Sequence, residues 1–98
     1  MYFLINEDRY ISILKILCSY YGLMEKDIFD LLKQRENKYL LLLLMKKYRC
    51  MDDKRIMDLF NLKSKRTLTI NIKKAEEKFF VNRLFREKYF EIEENLLK

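Results

Sequence analysis

The sequence contains six consecutive apolar residues, LLLLLM at residues 40–45, within a segment that otherwise has helical periodicity. A helix that is apolar on nearly every side has to be enclosed by other elements, because none of its faces is suited to water. Residues 37–48 are therefore predicted to form the central helix of the fold. A helix that spans a membrane needs about 20 apolar residues, so this run does not predict a membrane segment.

Residues that interrupt helices are scarce, since the chain has no Pro and only one Gly. Because Pro and Gly are the least favourable residues in helix interiors, this scarcity favours long helices with short connections. We predict an all-α fold, a compact bundle of about six helices. A chain of 98 residues is long enough for one domain with a core and too short for two. Residues 1–98 are therefore predicted to form a single domain.

Capping residues mark the helices around the central one. Asn6 is followed by two acidic residues and predicts the start of the first helix, which Gly22 ends in a left-handed conformation. The second helix is expected at about residues 25–33 and the last at about residues 82–97. The apolar spacing in these helices points the following side chains at the core: Tyr10, Ile13, Leu14, Leu17, Tyr21, Ile28, Leu31, Leu32, Phe85, Tyr89, Ile92 and Leu96.

The residues that metal sites and acid–base catalysis need are missing from the sequence. There is no His, and the two cysteines, Cys18 and Cys50, have no metal-binding spacing. We therefore predict no enzyme activity, no cofactor, no metal and no small-molecule substrate. No secretory signal is visible, which predicts a cytoplasmic protein.

Positive charge is concentrated in one segment. Between Leu59 and Ala75 there are five cations and no Asp or Glu, whereas the whole chain has a net charge of +6. At 100° per residue, a core-facing stripe formed by Leu68, Ile72, Ala75 and Phe79 lies opposite a face formed by Arg66, Thr69, Ile70, Lys73 and Lys74. Cations, a hydroxyl and a branched aliphatic are the groups that read a DNA major groove. The alternative is an ordinary basic face exposed to solvent.

The residues before this helix favour the DNA interpretation. Asp52 or Asp53 is expected to cap a short helix that ends near Phe60. Residues 61–63 would form the connection, in which Asn61 takes the left-handed conformation that Gly usually supplies. Ser64 is expected to accept a hydrogen bond from a free amide of the next helix. Two helices joined in this way match the helix-turn-helix plan, with a recognition helix at about residues 64–80.

Several stretches of the chain carry a resemblance to a known family. They are YISILKILCSYYGLMEKDIFDLL at residues 10–32, IMDLF at residues 56–60 and KSKRTLTINIKKAEE at residues 63–77. They resemble the carboxy-terminal DNA-binding domain of the bacterial replication initiator family DnaA, in the Trp-repressor-like superfamily. The resemblance implies a helical domain that binds double-stranded DNA. The positions that match the family pattern are Tyr20, Tyr21, Gly22, Asp30, Leu31, Leu32, Lys63, Thr67, Leu68, Ile72, Lys73, Lys74 and Glu76.

The chain also departs from that family. Ser64 and Lys65 replace the family's Asp and His, which read bases, and Asn61 and Leu62 replace its Gly-Gly turn. The basic loop between the second and third helices is shorter than in the family. These departures argue against recognition of the family's standard DNA box. There is no Gly-rich phosphate loop, so the initiator's ATPase module is absent from this sequence.

We therefore predict a double-stranded DNA-binding helix-turn-helix protein, a stand-alone regulator or accessory factor in replication initiation or transcription. Such a protein is expected to be associated with the nucleoid. The alternative is a protein-interaction module that kept the fold and binds a partner, or a second copy, through residues 79–96. The residues predicted to contact phosphates are Lys63, Ser64, Lys65, Arg66, Lys73, Lys74, Arg35 and Lys38. The residues predicted to reach base edges are Thr67, Thr69, Ile70 and Asn71.

Overall fold

The computed structural model describes residues 8–96, without the side chain of Leu96. Within this range there are six α-helices, a short 3₁₀ helix and no strand, which confirms the predicted all-α bundle. The predicted cap Asn6, the residue 97 end of the last helix and the inward side chain of Leu96 lie outside this description. The elements are α1 (Arg9–Tyr20), the 3₁₀ helix (Glu25–Asp27), α2 (Ile28–Leu31), α3 (Arg35–Lys47), α4 (Asp53–Phe60), α5 (Lys65–Val81) and α6 (Arg83–Leu96).

Helix α3 is the centre of the bundle, as its apolar run predicted. Leu40, Leu41, Leu42, Leu44 and Met45 are fully buried. Helices α1, α5 and α6 all pack against α3, so that little of its surface is left for water. The position of α5 is therefore fixed by its contact with the most buried element of the fold.

Three helices are followed, within two residues, by a residue with positive φ. After α1, Gly22 has φ +71°, and the amide of Leu23 donates to the carbonyl of Cys18, which is the pattern of a Schellman cap. After α4, Asn61 has φ +56°, so the predicted left-handed residue is confirmed. After α3, Arg49 has φ +55°, which the sequence did not predict.

Helix α6 closes the bundle through its predicted stripe, in which Phe85, Tyr89 and Ile92 are buried. Its carboxylates also bind tyrosines of other helices. The Tyr20 hydroxyl donates to Glu91 (2.6 Å), and the Tyr48 hydroxyl donates to the buried carboxylate of Glu93 (2.7 Å). These bonds join α6 to α1 and to the end of α3.

Candidate nucleic-acid interface

Helices α4 and α5 are joined by a short connection, residues 61–64, and pack against each other. Each begins at a capping side chain: Asp52 accepts from the amide of Arg55, and Ser64 accepts from the amide of Thr67, both at 3.2 Å. These bonds satisfy amides that a helix start would otherwise leave without a partner. Both caps were predicted, with Asp52 rather than Asp53 in the first case.

The inner face of α5 is the predicted stripe. Leu68 and Ala75 are buried, and the half-buried Ile72 and Phe79 pack against the same core. The stripe spans three turns of the helix, which fixes the rotation of α5 about its own axis. The opposite side of α5 is therefore held away from the core.

The predicted cations on the outer face of α5 and in the connection before it are exposed to solvent. Lys63, Lys65, Arg66, Lys73 and Lys74 are all exposed, as are Ser64, Thr67, Thr69 and Ile70. The Lys65 ammonium lies 3.4 Å from a carboxylate oxygen of Asp53, which lowers its net contribution to the charge of this face. Among the described residues, no salt bridge involves any of the other four cations. A group of unpaired like charges gives this surface a positive potential.

The predicted base-edge residues are bonded to their own helix. The Ser64 and Thr67 hydroxyls are 3.0 Å apart, the Thr69 hydroxyl donates to the carbonyl of Lys65 (3.1 Å), and the side-chain amide of half-buried Asn71 donates to the carbonyl of Thr67 (2.9 Å). Such back-bonding uses the single donor of the Thr69 hydroxyl and one of the two donors of the Asn71 amide, and it leaves oxygen lone pairs to accept. This face can therefore accept hydrogen bonds readily, and the exposed side chain of Ile70 adds an apolar contact.

Arg35 and Lys38 lie at the start of α3. Arg35 is exposed, whereas Lys38 is half-buried with its ammonium 5.7 Å from the centre of the Phe60 ring. Since Phe60 ends α4, the start of α3 lies at the α4–α5 connection. At the other end of α3, Lys46 pairs with Glu76 of α5 at 2.7 Å. The amino-terminal ends of α3 and α5 therefore lie at the same end of the molecule.

Residues 79–96 contribute a second, apolar surface. The stripe of α6 is buried, but Phe80, Val81, Leu84 and Phe90 are exposed where α5 meets α6. Helical spacing in the sequence predicted the buried side of α6 and did not show that large hydrophobic residues would cover this junction. The ion pair of Asp53 with Lys65 was not predicted either, because no local pattern connects the two residues.

Comparison of the chain with protein-family models, with curated proteins and with solved structures gives no match. The resemblance to the initiator domain therefore stays a prediction. Between residues 8 and 96 no helix is both long and apolar enough to cross a membrane, and no cluster of three or more His, Cys, Asp or Glu residues could hold a metal ion.

Proposed function

We propose that this chain binds double-stranded DNA, with α5 in the major groove and the connection before it against the phosphate backbone. The observation that carries the proposal is that Lys63, Arg66, Lys73 and Lys74 are exposed on one side of the molecule without a carboxylate partner among the described residues. Duplex DNA is a dense polyanion, so a face of this kind gains free energy by releasing the counterions of the phosphates. A helix of 17 residues is long enough to lie in the groove.

The first turn of α5 is suited to a phosphate. Ser64 satisfies one of its free amides, and the positive end of the helix dipole is directed at the solvent beside Lys65 and Arg66. One turn further, Thr69 and Ile70 would reach base edges. Their available groups are an acceptor oxygen and a branched aliphatic, which fit an exocyclic amine and a thymine methyl respectively.

The biological role that we propose is that of a stand-alone regulator or accessory factor in replication initiation or transcription. The resemblance to the initiator domain supports this role. Since Ser64 and Lys65 replace the family's base-reading residues, we expect a site that differs from the family's box. Selection from random duplexes with the purified chain, read by sequencing, would identify that site.

Equilibrium binding to a fluorescent duplex at several salt concentrations tests the electrostatic part of the proposal. With about six cations at phosphates, the logarithm of the affinity should fall against the logarithm of the salt concentration with a slope of about −5. Replacing Arg66 and Lys73 by Glu should weaken binding on the order of 100-fold or more and make the slope shallower by about two. Binding without a salt dependence would contradict the proposal.

The matched control reverses two other exposed cations, Lys26 and Lys33, which lie on the segment that precedes the central helix. Both double variants change the net charge by the same amount, so a general effect of charge would weaken binding equally. Only a localised interface predicts that Arg66→Glu with Lys73→Glu is far more damaging. Equal losses in the two variants would show that the binding depends on net charge and is not localised at α5.

A second function, recognition of a protein through residues 79–96, is supported by the exposed apolar side chains where α5 meets α6. Large hydrophobic residues grouped on a surface commonly mark a protein contact. The two functions use different faces, so a charge reversal on α5 should abolish DNA binding and leave a contact at this junction intact.

A further inference from the structure

The junction of α5 and α6 is a sharp corner that hydrogen bonds hold in place. A single extended residue, Asn82, separates the two helices, and its side-chain oxygen accepts from the amide of Phe85 (2.9 Å). The Arg86 guanidinium donates to the carbonyls of Phe79 (2.8 Å) and Phe80 (3.1 Å) at the end of α5. The end of one helix and the start of the other are therefore capped, and the side chains on this corner have a fixed backbone.

The corner exposes large hydrophobic side chains. Phe80 is 77% exposed, Val81 83% and Leu84 76%, and Phe90 beside them is 47% exposed. Together they present on the order of 500 Å² of apolar surface, which is near the upper limit of what ordinary monomers tolerate in one patch. A stable interface buries roughly 800 Å² on each partner, so this patch would supply the apolar centre of one.

A groove of about 590 Å³ lies next to the corner, between α3, α5 and α6. Its apolar lining includes Leu43, Phe79, Tyr89 and Phe90, and Phe80 borders it. The aromatic rings pack edge to face, with the Phe79 centroid 5.3 Å from that of Tyr89 and 5.7 Å from that of Phe90. One surface therefore carries both a projection and a cavity, which is the self-complementarity that a twofold contact requires.

The charges around the groove are balanced. Lys46 pairs with Glu76, Lys47 with Glu93, and Arg83 with Glu87. The chain as a whole has a net charge of +6, so two copies repel each other on most approaches and least at this neutral surface. A strongly acidic or basic partner would find no net charge to attract it here.

We propose that this surface binds a second copy of the same chain in a twofold-symmetric dimer, in which Phe80 and Leu84 of each copy enter the groove of the other. The proposal rests on apolar area, shape and charge balance, and is independent of DNA binding. The basic residues belong to the other half of α5, so both copies would keep them exposed. If both proposals hold, the DNA site should contain two inverted half-sites.

Sedimentation equilibrium of the full chain without DNA, over a range of concentrations, tests the dimer. We expect a reversible equilibrium between monomer and dimer. Replacing Phe80 and Leu84 by Glu should raise the dissociation constant at least about 100-fold, because each change occurs twice in the contact and removes a central side chain. The matched control replaces Met24 and Phe29 by Glu, which are 68% and 65% exposed and lie on a different surface formed by α2 and the segment before it.

Three outcomes would overturn the proposal: a wild-type chain that stays monomeric at all concentrations, a control variant that dissociates as readily as the corner variant, or open-ended assemblies in place of a closed dimer. Capture of a different protein by a chain that stays monomeric, with loss of that capture in the corner variant, would overturn the dimer in favour of a heterologous partner. Circular dichroism and thermal unfolding establish that each variant is folded. If the Glu variant is not folded, Phe80→Ser with Leu84→Ser makes the same test with a smaller perturbation.

Discussion

The two halves of α5 belong to one continuous helix and differ in charge and in the polarity of their exposed side chains. The amino-terminal half, up to Lys74, is surrounded by exposed cations and is anchored by one fully buried large side chain, Leu68. The carboxyl-terminal half begins at the buried Ala75, carries Glu76 and ends in exposed hydrophobic residues. We expect the first half to attract phosphate and to repel a second copy, and the second half to admit a second copy. The two proposed functions would then use different side chains of one helix.

The largest effect on stability is expected at Leu68, which anchors the amino-terminal half of α5 in the core. Leu68→Ala should lower the free energy of unfolding by about 2–5 kcal/mol, because it removes buried methyl groups and leaves a cavity. Urea denaturation followed by circular dichroism measures the loss. The matched control is Ile70→Ala on the exposed face, where we expect a change within about 0.5 kcal/mol. An equal loss of stability at the two positions would show that α5 is not oriented with Leu68 in the core and Ile70 in solvent.

A smaller effect is expected at the start of the basic half. Ser64→Ala removes the acceptor for the amide of Thr67 and should cost about 1 kcal/mol. Because the loss is confined to the first turn of α5, amide hydrogen exchange should accelerate there and stay unchanged at the corner with α6. Ser19→Ala, at an exposed serine late in α1, is the control. Acceleration along the whole of α5 would show that its two halves are not independent.

The smallest effect concerns the attachment of α6 and depends on pH. The hydrogen bond to Glu91, followed by burial, raises the pKa of Tyr20 from 10.0 to about 12. The contribution of this bond to stability is therefore complete below pH 10 and is lost as the pH rises through about 12.

Urea denaturation of Tyr20→Phe and the wild type at pH values on both sides of this window tests the assignment. The variant lacks the ionising hydroxyl, so its stability should fall less than that of the wild type between pH 10 and 12. Glu91→Ala should flatten the profile in the same way, since it removes the acceptor of this hydrogen bond. Identical profiles in all three proteins would contradict the role of this bond.

The sequence was most informative where local rules decide the structure. The stripe from Leu68 to Phe79 follows from the helical period, and the roles of Asn61 and Ser64 follow from their own backbone and side-chain preferences. The left-handed Arg49 has no such signal, because Arg has no intrinsic preference for that conformation. At this position the amides of Arg49 and Cys50 donate to the carbonyls of Lys46 and Met45, which closes the end of α3.

Contacts between elements account for most of what the sequence did not predict about the site. The pairing of Lys65 with Asp53 depends on how α4 packs against α5, and no spacing rule describes it. The back-bonds of Thr69 and Asn71 depend on side-chain rotamers. The exposure of Phe80 and Leu84 results from the direction that the chain takes at Asn82, which apolar periodicity within each helix does not encode.

Because only Asn82 separates α5 from α6, the length of α5 sets the distance between its basic amino-terminal end and the apolar corner. A helix of 17 residues measures roughly 25 Å, and Arg86 donates hydrogen bonds to two of its last carbonyls. A second copy bound at the corner and DNA bound at the amino-terminal half of α5 would therefore lie at a fixed distance from each other. In a dimer, the distance between the two basic halves would depend on the length of α5 and on the angle between the copies. The spacing of the DNA half-sites would report that distance.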